Sequence, residues 1–356
     1  MSRENCWQAL NMEAPAKVPR TEYSAHDYHW NLMKTVTGID TDSIENRGKA
    51  QTEFVKAWDY GWMWGTMVHR HYMTENGGRV CDMGHAEFGE NSEGEGDFHD
   101  LLQNPFADIE EVYNLDPCKE YKEFGEDELI KRFTAHYNER QTKFPSCLNM
   151  SGTYSTMFSG LIDIFGWDSL LMAMAMDEKR FAKVIDGYYE WIKQFFTAYA
   201  KTDIPVMMVH DDLCWTSGPV TDPEWYRKYI FPYLRRLLEP VQAAGKKIFF
   251  TSDGNIDCFI DDFVDLGIDS LVMEPCTNME TFVKKYGQKC GFVGGIDCRT
   301  LTMGTKEDIK REMERVMAWK DTCPGFILAV GNHIPADVPV ENALYYNELY
   351  EQMAYR

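Results

Sequence analysis

From residue 205 the chain repeats one unit, a short apolar run followed by a longer amphipathic stretch, five times to its end. The runs lie at 206–209, 247–251, 270–273, 291–294 and 326–330. Each is too short for a helix and apolar without alternation, the pattern of a strand buried on both faces. Helices are expected between them at 223–244, 256–266, 279–286 and 306–319, with 340–354 closing the chain. Strand–helix alternation of this kind builds a parallel sheet. Further strands are expected at 66–73, 79–81 and 145–150, which brings the count to eight. The fold class is therefore α/β, a single (β/α)8 TIM barrel over 1–356 with a helical N-terminal extension over 1–65. Within that extension, residues 1–24 read as an extended lead-in, because Pro15 and Pro19 break any helix. Earlier helices are expected at 26–36, 48–58, 98–114 and 125–139, and two or three more across 155–201.

Composition excludes several classes of function. A formal charge of −21 argues against nucleic acid, which needs a basic stripe. The first residues lack the apolar centre of a signal peptide, and no run approaches the roughly 20 apolar residues of a membrane span. Ten scattered cysteines without paired spacing read as reduced thiols, so the expected location is the cytoplasm. Homo-oligomerisation stays open. Between Gly84 and Asp100 runs an acidic, glycine-rich loop carrying Glu87, Glu90, Glu93, Glu95 and Asp97, expected to lie over a mouth.

Barrel chemistry sits at the C-terminal ends of the strands, and the residues there form a polar ring. His210, Asp211 and Asp212 follow one strand, and Ser252 and Asp253 follow the next. Glu274, then Asp297, then Asn332 and His333 follow the remaining three. The stretch Thr251–Ser252–Asp253–Gly254–Asn255 turns abruptly from apolar to polar, which makes Asp253 the first candidate for chemistry. Several carboxylates in one mouth must share protons or bind a cation. Two solutions follow: a general-acid carboxyl, or a divalent ion, zinc, held by some of Asp253, Glu274 and His333. Cys258 and Cys298 occupy matching places but lie inside helices, so they read as structural.

At these positions the chain resembles the uroporphyrinogen decarboxylase superfamily. The resemblance rests on Asp211-Asp212-Leu213, Gly218-Pro219, Asp222-Pro223-Glu224-Trp225-Tyr226-Arg227, Ser252-Asp253-Gly254-Asn255-Ile256, Gly294-Gly295-Ile296-Asp297 and Gly331-Asn332-His333-Ile334-Pro335. It covers the C-terminal half closely and implies one (β/α)8 barrel. Decarboxylases of this superfamily carry an Arg-rich stretch near the N-terminus, where this chain reads Val18-Pro19-Arg20-Thr21-Glu22-Tyr23-Ser24. Thiol methyltransferases carry His-x-Cys and a later Cys, where this chain has Thr251, Asp253 and Asn332.

What the resemblance then implies is the corrinoid-dependent branch, an O-demethylase component that moves a methyl group from a methoxylated aromatic to a cobalamin-type cobalt(I) corrinoid on a separate corrinoid protein. The catalytic candidates are Asp253, His210 and Asp211. Trp62, Trp64, Trp215 and Tyr154 are candidates for holding a flat ring, with Ser252, Asn255 and Asn332 as polar contacts. The alternatives are a uroporphyrinogen decarboxylase-like decarboxylase and a non-catalytic corrinoid-binding paralogue.

Overall fold

The apolar runs of the C-terminal half form the strands expected of them. The computed structural model describes residues 2–23, 25–81, 104–331 and 333–356, so Asn332 and the acidic loop over 84–100 lie outside the described residues. The strands are β1 (Ser151–Thr153), β2 (Val206–His210), β3 (Cys214–Trp215), β4 (Gly218–Pro219), β5 (Lys247–Thr251), β6 (Ser270–Val272), β7 (Gly291–Ile296) and β8 (Phe326–Val330). Six of them form a parallel sheet in the order β1-β2-β5-β6-β7-β8, while β3 and β4 make a small antiparallel hairpin beyond β2.

Two further segments turn this sheet into a barrel. Arg20 bridges in parallel to Leu328 of β8 on one side and to Tyr60 on the other. Trp62 then bridges to Leu148, and Val68 to Thr153 of β1. The Thr21 amide donates to the Leu328 carbonyl (3.0 Å), Gly61 N to Arg20 O (2.7 Å) and Leu148 N to Gly61 O (2.8 Å). With six ladder strands and these two bridged segments, the α/β fold is a TIM barrel.

The first two staves are thus not where the sequence pattern put them. Residues 66–73 form no strand: only Val68 bridges, and His71–Thr74 is a helical turn. Residues 79–81 pair with no strand, and Cys81 N donates to the Asp163 carbonyl at 2.8 Å. The true first stave lies in the lead-in, at 18–22. Pro19 does exclude a helix there, but a proline is tolerated at the start of a strand. What hides the stave is its outward face. Arg20 and Glu22, both 0% exposed, pair with each other at 2.6 Å in place of apolar residues. Residues 1–17 are not extended throughout either, since Ser2–Leu10 is a helix.

Strand alternation separates two cores. Facing inward, Trp62, Met150, Met208, Phe249, Val293 and Ile327 fill the barrel, and Cys6, Ala9 and Leu10 of the first helix join them. Facing outward, the other strand residues pack on the helical layer. That layer includes Phe158–Met176, a helix with the length and apolarity of a membrane span but mostly buried in the protein.

Arg20 and Glu22 tie the first stave to the last helix. The Glu22 carboxylate accepts from Tyr346 Oη (2.7 Å) and from Val330 N (3.0 Å), and Arg20 donates to Asn347 Oδ1 (2.6 Å). The guanidinium lies 4.6 Å over Trp58 and 4.6 Å over Tyr350. Burial pushes the Glu22 carboxyl up, and Arg20 opposes that shift. Replacing Arg20 alone leaves a buried carboxylate without its cation, at a cost of about 3–5 kcal/mol. Arg20→Met is therefore expected to lose stability on that scale in urea unfolding, and Arg20→Met/Glu22→Leu to recover part of it.

Candidate functional site

Period two decides which strand-end residues reach the mouth. On β2, Val206 and Met208 point into the barrel, so His210 does too, while Asp211 points outward. Asp211 is fully buried there, and its carboxylate accepts from Ser159 N (2.7 Å) and Met157 N (3.2 Å) at the start of the helix Phe158–Met176. Burial raises its pKa to about 7, against those amide hydrogen bonds and His210. The structure therefore gives Asp211 a role in anchoring a helix and holds it away from the mouth.

His210 is held by its own strand end and by its neighbour. Nδ1 lies 2.9 Å from the Tyr154 carbonyl and Nε2 lies 3.1 Å from Asp212 Oδ1. Both ring nitrogens face acceptors, which suits the imidazolium. Burial works against that charge, yet Asp212, then Asp253 and the Tyr154 carbonyl, raise the pKa to about 9. Tyr154 covers the imidazole face, with centroids 3.9 Å apart and 5° between planes. On the other face of Tyr154, His69 stacks at 4.9 Å. Burial there outweighs the Thr66 carbonyl and the more distant charge of Asp163, and the pKa of His69 falls to about 4.

The loop after β5 is braced at each residue. Ser252 Oγ accepts from Leu213 N (3.1 Å), and Asp253 N donates to Asp212 Oδ1 (3.0 Å). Gly254 N donates to Glu274 Oε2 (2.7 Å), and Asn255 N to the Trp215 carbonyl (2.9 Å). Gly254 is obligatory: its φ is +82°, and a Cβ would stand 2.6 Å from the Cys214 and Trp215 carbonyl oxygens of the hairpin. Asn255 Oδ1 accepts from Asp257 N (3.0 Å), so this side chain holds the turn that follows. The carboxylate of Asp253 is exposed on this fixed loop.

Aromatic residues make the opposite wall. Trp62 is buried and stacked on Phe249 at 5.2 Å, and forms the floor. Trp64 lies above it, 6.4 Å from Trp62 and 6.4 Å from the His210 ring. Tyr23, in the stretch expected to be a lead-in, packs edge-on against both, at 5.6 and 5.8 Å. Trp215 stands at the rim, 49% exposed, beside Trp167 at 5.7 Å.

Of the candidates, the structure brings together His210, Asp253, Tyr154, Trp62 and Trp64, with Glu274 bracing the loop. Ser252 and Asn255 serve the loop backbone, and His333 packs against Tyr28 at 5.3 Å. Among the described residues no three His, Cys, Asp or Glu side chains converge as metal ligands. Asp253, Glu274 and His333 therefore do not converge as a three-ligand set in this arrangement. Asp297 caps Cys298–Met303 and pairs with Arg299. Asp212 and Tyr23 went unread as site residues. The signal for Asp212 was its place beside His210, and for Tyr23 the alternation of the hidden stave.

The raised His210 pKa has a stability signature. Its favourable contribution is complete below the unfolded value of about 6.5 and is lost as pH rises through the folded value. Asp212→Asn is expected to lower the His210 midpoint in an NMR titration. The matching urea experiment is expected to show the variant's pH-dependent deficit at pH 6 and its disappearance above the folded midpoint.

Comparison with known proteins places this site in context. The family model described as Uroporphyrinogen decarboxylase (URO-D) matches residues 100–352. A protein named uroporphyrinogen decarboxylase from Syntrophotalea carbinolica is 25% identical over 177 residues, and one from Thermus thermophilus is 24% identical over 178. Each match takes in 50% of this chain and 50% of the relative, so the chain spans about half the length of the curated relatives it matches. Among solved structures, a methyltransferase from Methanosarcina mazei superposes with a TM-score of 0.65 at 15% identity, over 99% of this chain and 98% of that one. At that identity the likeness is one of fold.

Proposed function

The chain belongs to the uroporphyrinogen decarboxylase family, and from that premise we propose that it is a methyltransferase acting on aryl methyl ethers. The methyl group goes to the cobalt(I) corrinoid of a separate protein. The observation that carries this reading is the exposed Asp253 carboxyl, presented by a braced loop across a mouth walled by Trp62, Trp64 and Tyr154. A flat aromatic suits that wall, and an oxygen on it suits an acid opposite.

Charge supports the same choice. A tetrapyrrole bearing many carboxylates needs cations in the mouth. Arg20 is turned outward into its pair with Glu22. Asp212, Asp253 and Glu274 meet at the braced loop, and His210 is the cation beside them. A neutral ether avoids that field.

The residues present fit a group brought from outside. Trp215 and Trp167 give the rim an apolar edge against which a macrocycle can rest. A cobalt(I) corrinoid supplies the nucleophile that accepts the methyl carbon. The chain's own work is to align the ring and manage the departing oxygen. When the methyl C–O bond breaks, its electron pair stays on oxygen. The exposed Asp253 carboxylate takes a proton from solvent and passes it to that oxygen as the bond breaks. The His210 imidazolium holds Asp212, which in turn holds the Asp253 amide.

Asp253→Asn keeps the shape and removes the acid. Methyl transfer from a methoxyarene to reduced corrinoid protein is expected to fall about 10²–10⁴-fold, as when a general acid is lost. The melting temperature is expected to stay near the wild-type value. A variant that melts early and turns over normally would show that Asp253 is structural.

A further inference from the structure

Among the buried side-chain polar groups without a hydrogen-bond partner in the described residues, two are donors on neighbouring aromatic rings, Tyr23 and Trp62. Tyr23 Oη and Trp62 Nε1 are both shielded from solvent and make no hydrogen bond among the described residues. Their rings meet edge-on at 5.6 Å. A buried polar group left unpaired costs about 1–3 kcal/mol, so such groups mark places where a partner arrives from outside.

The backbone at Tyr23 carries a second sign. Its φ is +33°, a region that residues other than glycine rarely enter. Strain of this kind persists where surrounding structure imposes it, and it clusters at ligand sites. Here the imposing structure is the stave before it. Arg20 and Glu22 are fixed outward, and Thr21 Oγ1 donates inward to the Trp62 carbonyl at 3.0 Å. Tyr23 is therefore delivered to the inner face at the end of its stave, against Trp62 and Trp64.

We propose that Tyr23, with Trp62 Nε1 beside it, is the oxygen-binding subsite of the mouth. In this role the Tyr23 hydroxyl donates to a neutral oxygen substituent on the bound aromatic ring. This assignment rests on the methoxyarene reading, and it makes Tyr23 the residue that selects oxygenated rings over plain hydrocarbons. Asp253 and Glu274 both act on the Tyr23 hydroxyl. Burial first, and then those carboxylates, hold its ionisation well above the ordinary tyrosine value. It therefore stays a neutral donor through the working pH range and passes no proton itself. The same negative surroundings disfavour an anionic ligand at this point. A phenol or ether oxygen fits, and a carboxylate does not.

Tyr23→Phe removes the hydroxyl and keeps the ring. Calorimetric titration of the full chain with methoxybenzene, phenol and toluene tests the assignment. Wild type is expected to bind the two oxygenated rings about tenfold more tightly than toluene, the scale of one hydrogen bond. Tyr23→Phe is expected to lose that preference, bind toluene as wild type does, and melt no earlier. A preference that survives in Tyr23→Phe, or is missing from wild type, overturns the subsite. Loss of toluene binding in the variant overturns it too, because Tyr23 would then be a packing residue. Methyl transfer from methoxybenzene to reduced corrinoid protein is scored separately. A Tyr23-dependent preference without any transfer upholds the subsite and refutes the O-demethylation reading.

Discussion

The barrel closes around a buried ion pair. Arg20 and Glu22 lie fully buried on the outer face of the first stave, where the late strands put apolar residues. Two charges in that place are tolerable only when hydrogen bonds and ring faces surround them. The structure supplies them: Tyr346 and Asn347 from the last helix, Val330 N from β8, and the faces of Trp58 and Tyr350. Stave one, stave eight and the C-terminal helix are thereby fastened at a single point. Because Arg20 and Glu22 cannot turn inward, Thr21 and Tyr23 must.

That constraint reaches the site through strand geometry. Each strand end offers alternate residues to the mouth, and the ones offered are Tyr23, Tyr154 and His210. Asp211 differs from His210 by one position and ends up under a helix. The loop after β5 adds rigidity of another kind. Consecutive residues from Ser252 to Asn255 are tied to the β2 end, to Glu274 and to the β3–β4 hairpin. A carboxyl held on a fixed backbone needs little reorganisation for the role proposed for Asp253.

Electrostatics in the mouth follows from one pairing. Burial alone would keep both histidines neutral. His69 follows that rule, whereas His210 faces Asp212 and keeps its proton. Among the described residues, the His210 imidazolium then sits against clustered carboxylates, an arrangement suited to neutral ligands. The first stave's arginine, paired with Glu22, holds the barrel shut.

How much of this was legible beforehand depended on how local the cause was. The runs at 247–251 and 326–330 are apolar on both faces, so burial could be read directly, and the late strands came out in place. Asp253 was legible because the polar switch after β5 is a local event. The first two staves were not, because their signal is not local. Arg20 and Glu22 look like surface residues until Tyr346 and Asn347, more than three hundred positions away, cover the pair and hydrogen-bond to it. The direction of Asp211 and the surroundings of the Tyr23 hydroxyl likewise depend on residues from other staves, and the proton on His210 depends on how the chain folds Asp212 back onto the ring. The sequence by itself determined a parallel α/β barrel with acids at its strand ends, since periodicity and composition act along the chain. Only the tertiary structure decided which of those acids faces the mouth, because inward and outward differ by one residue of register and are set by contacts across the ring.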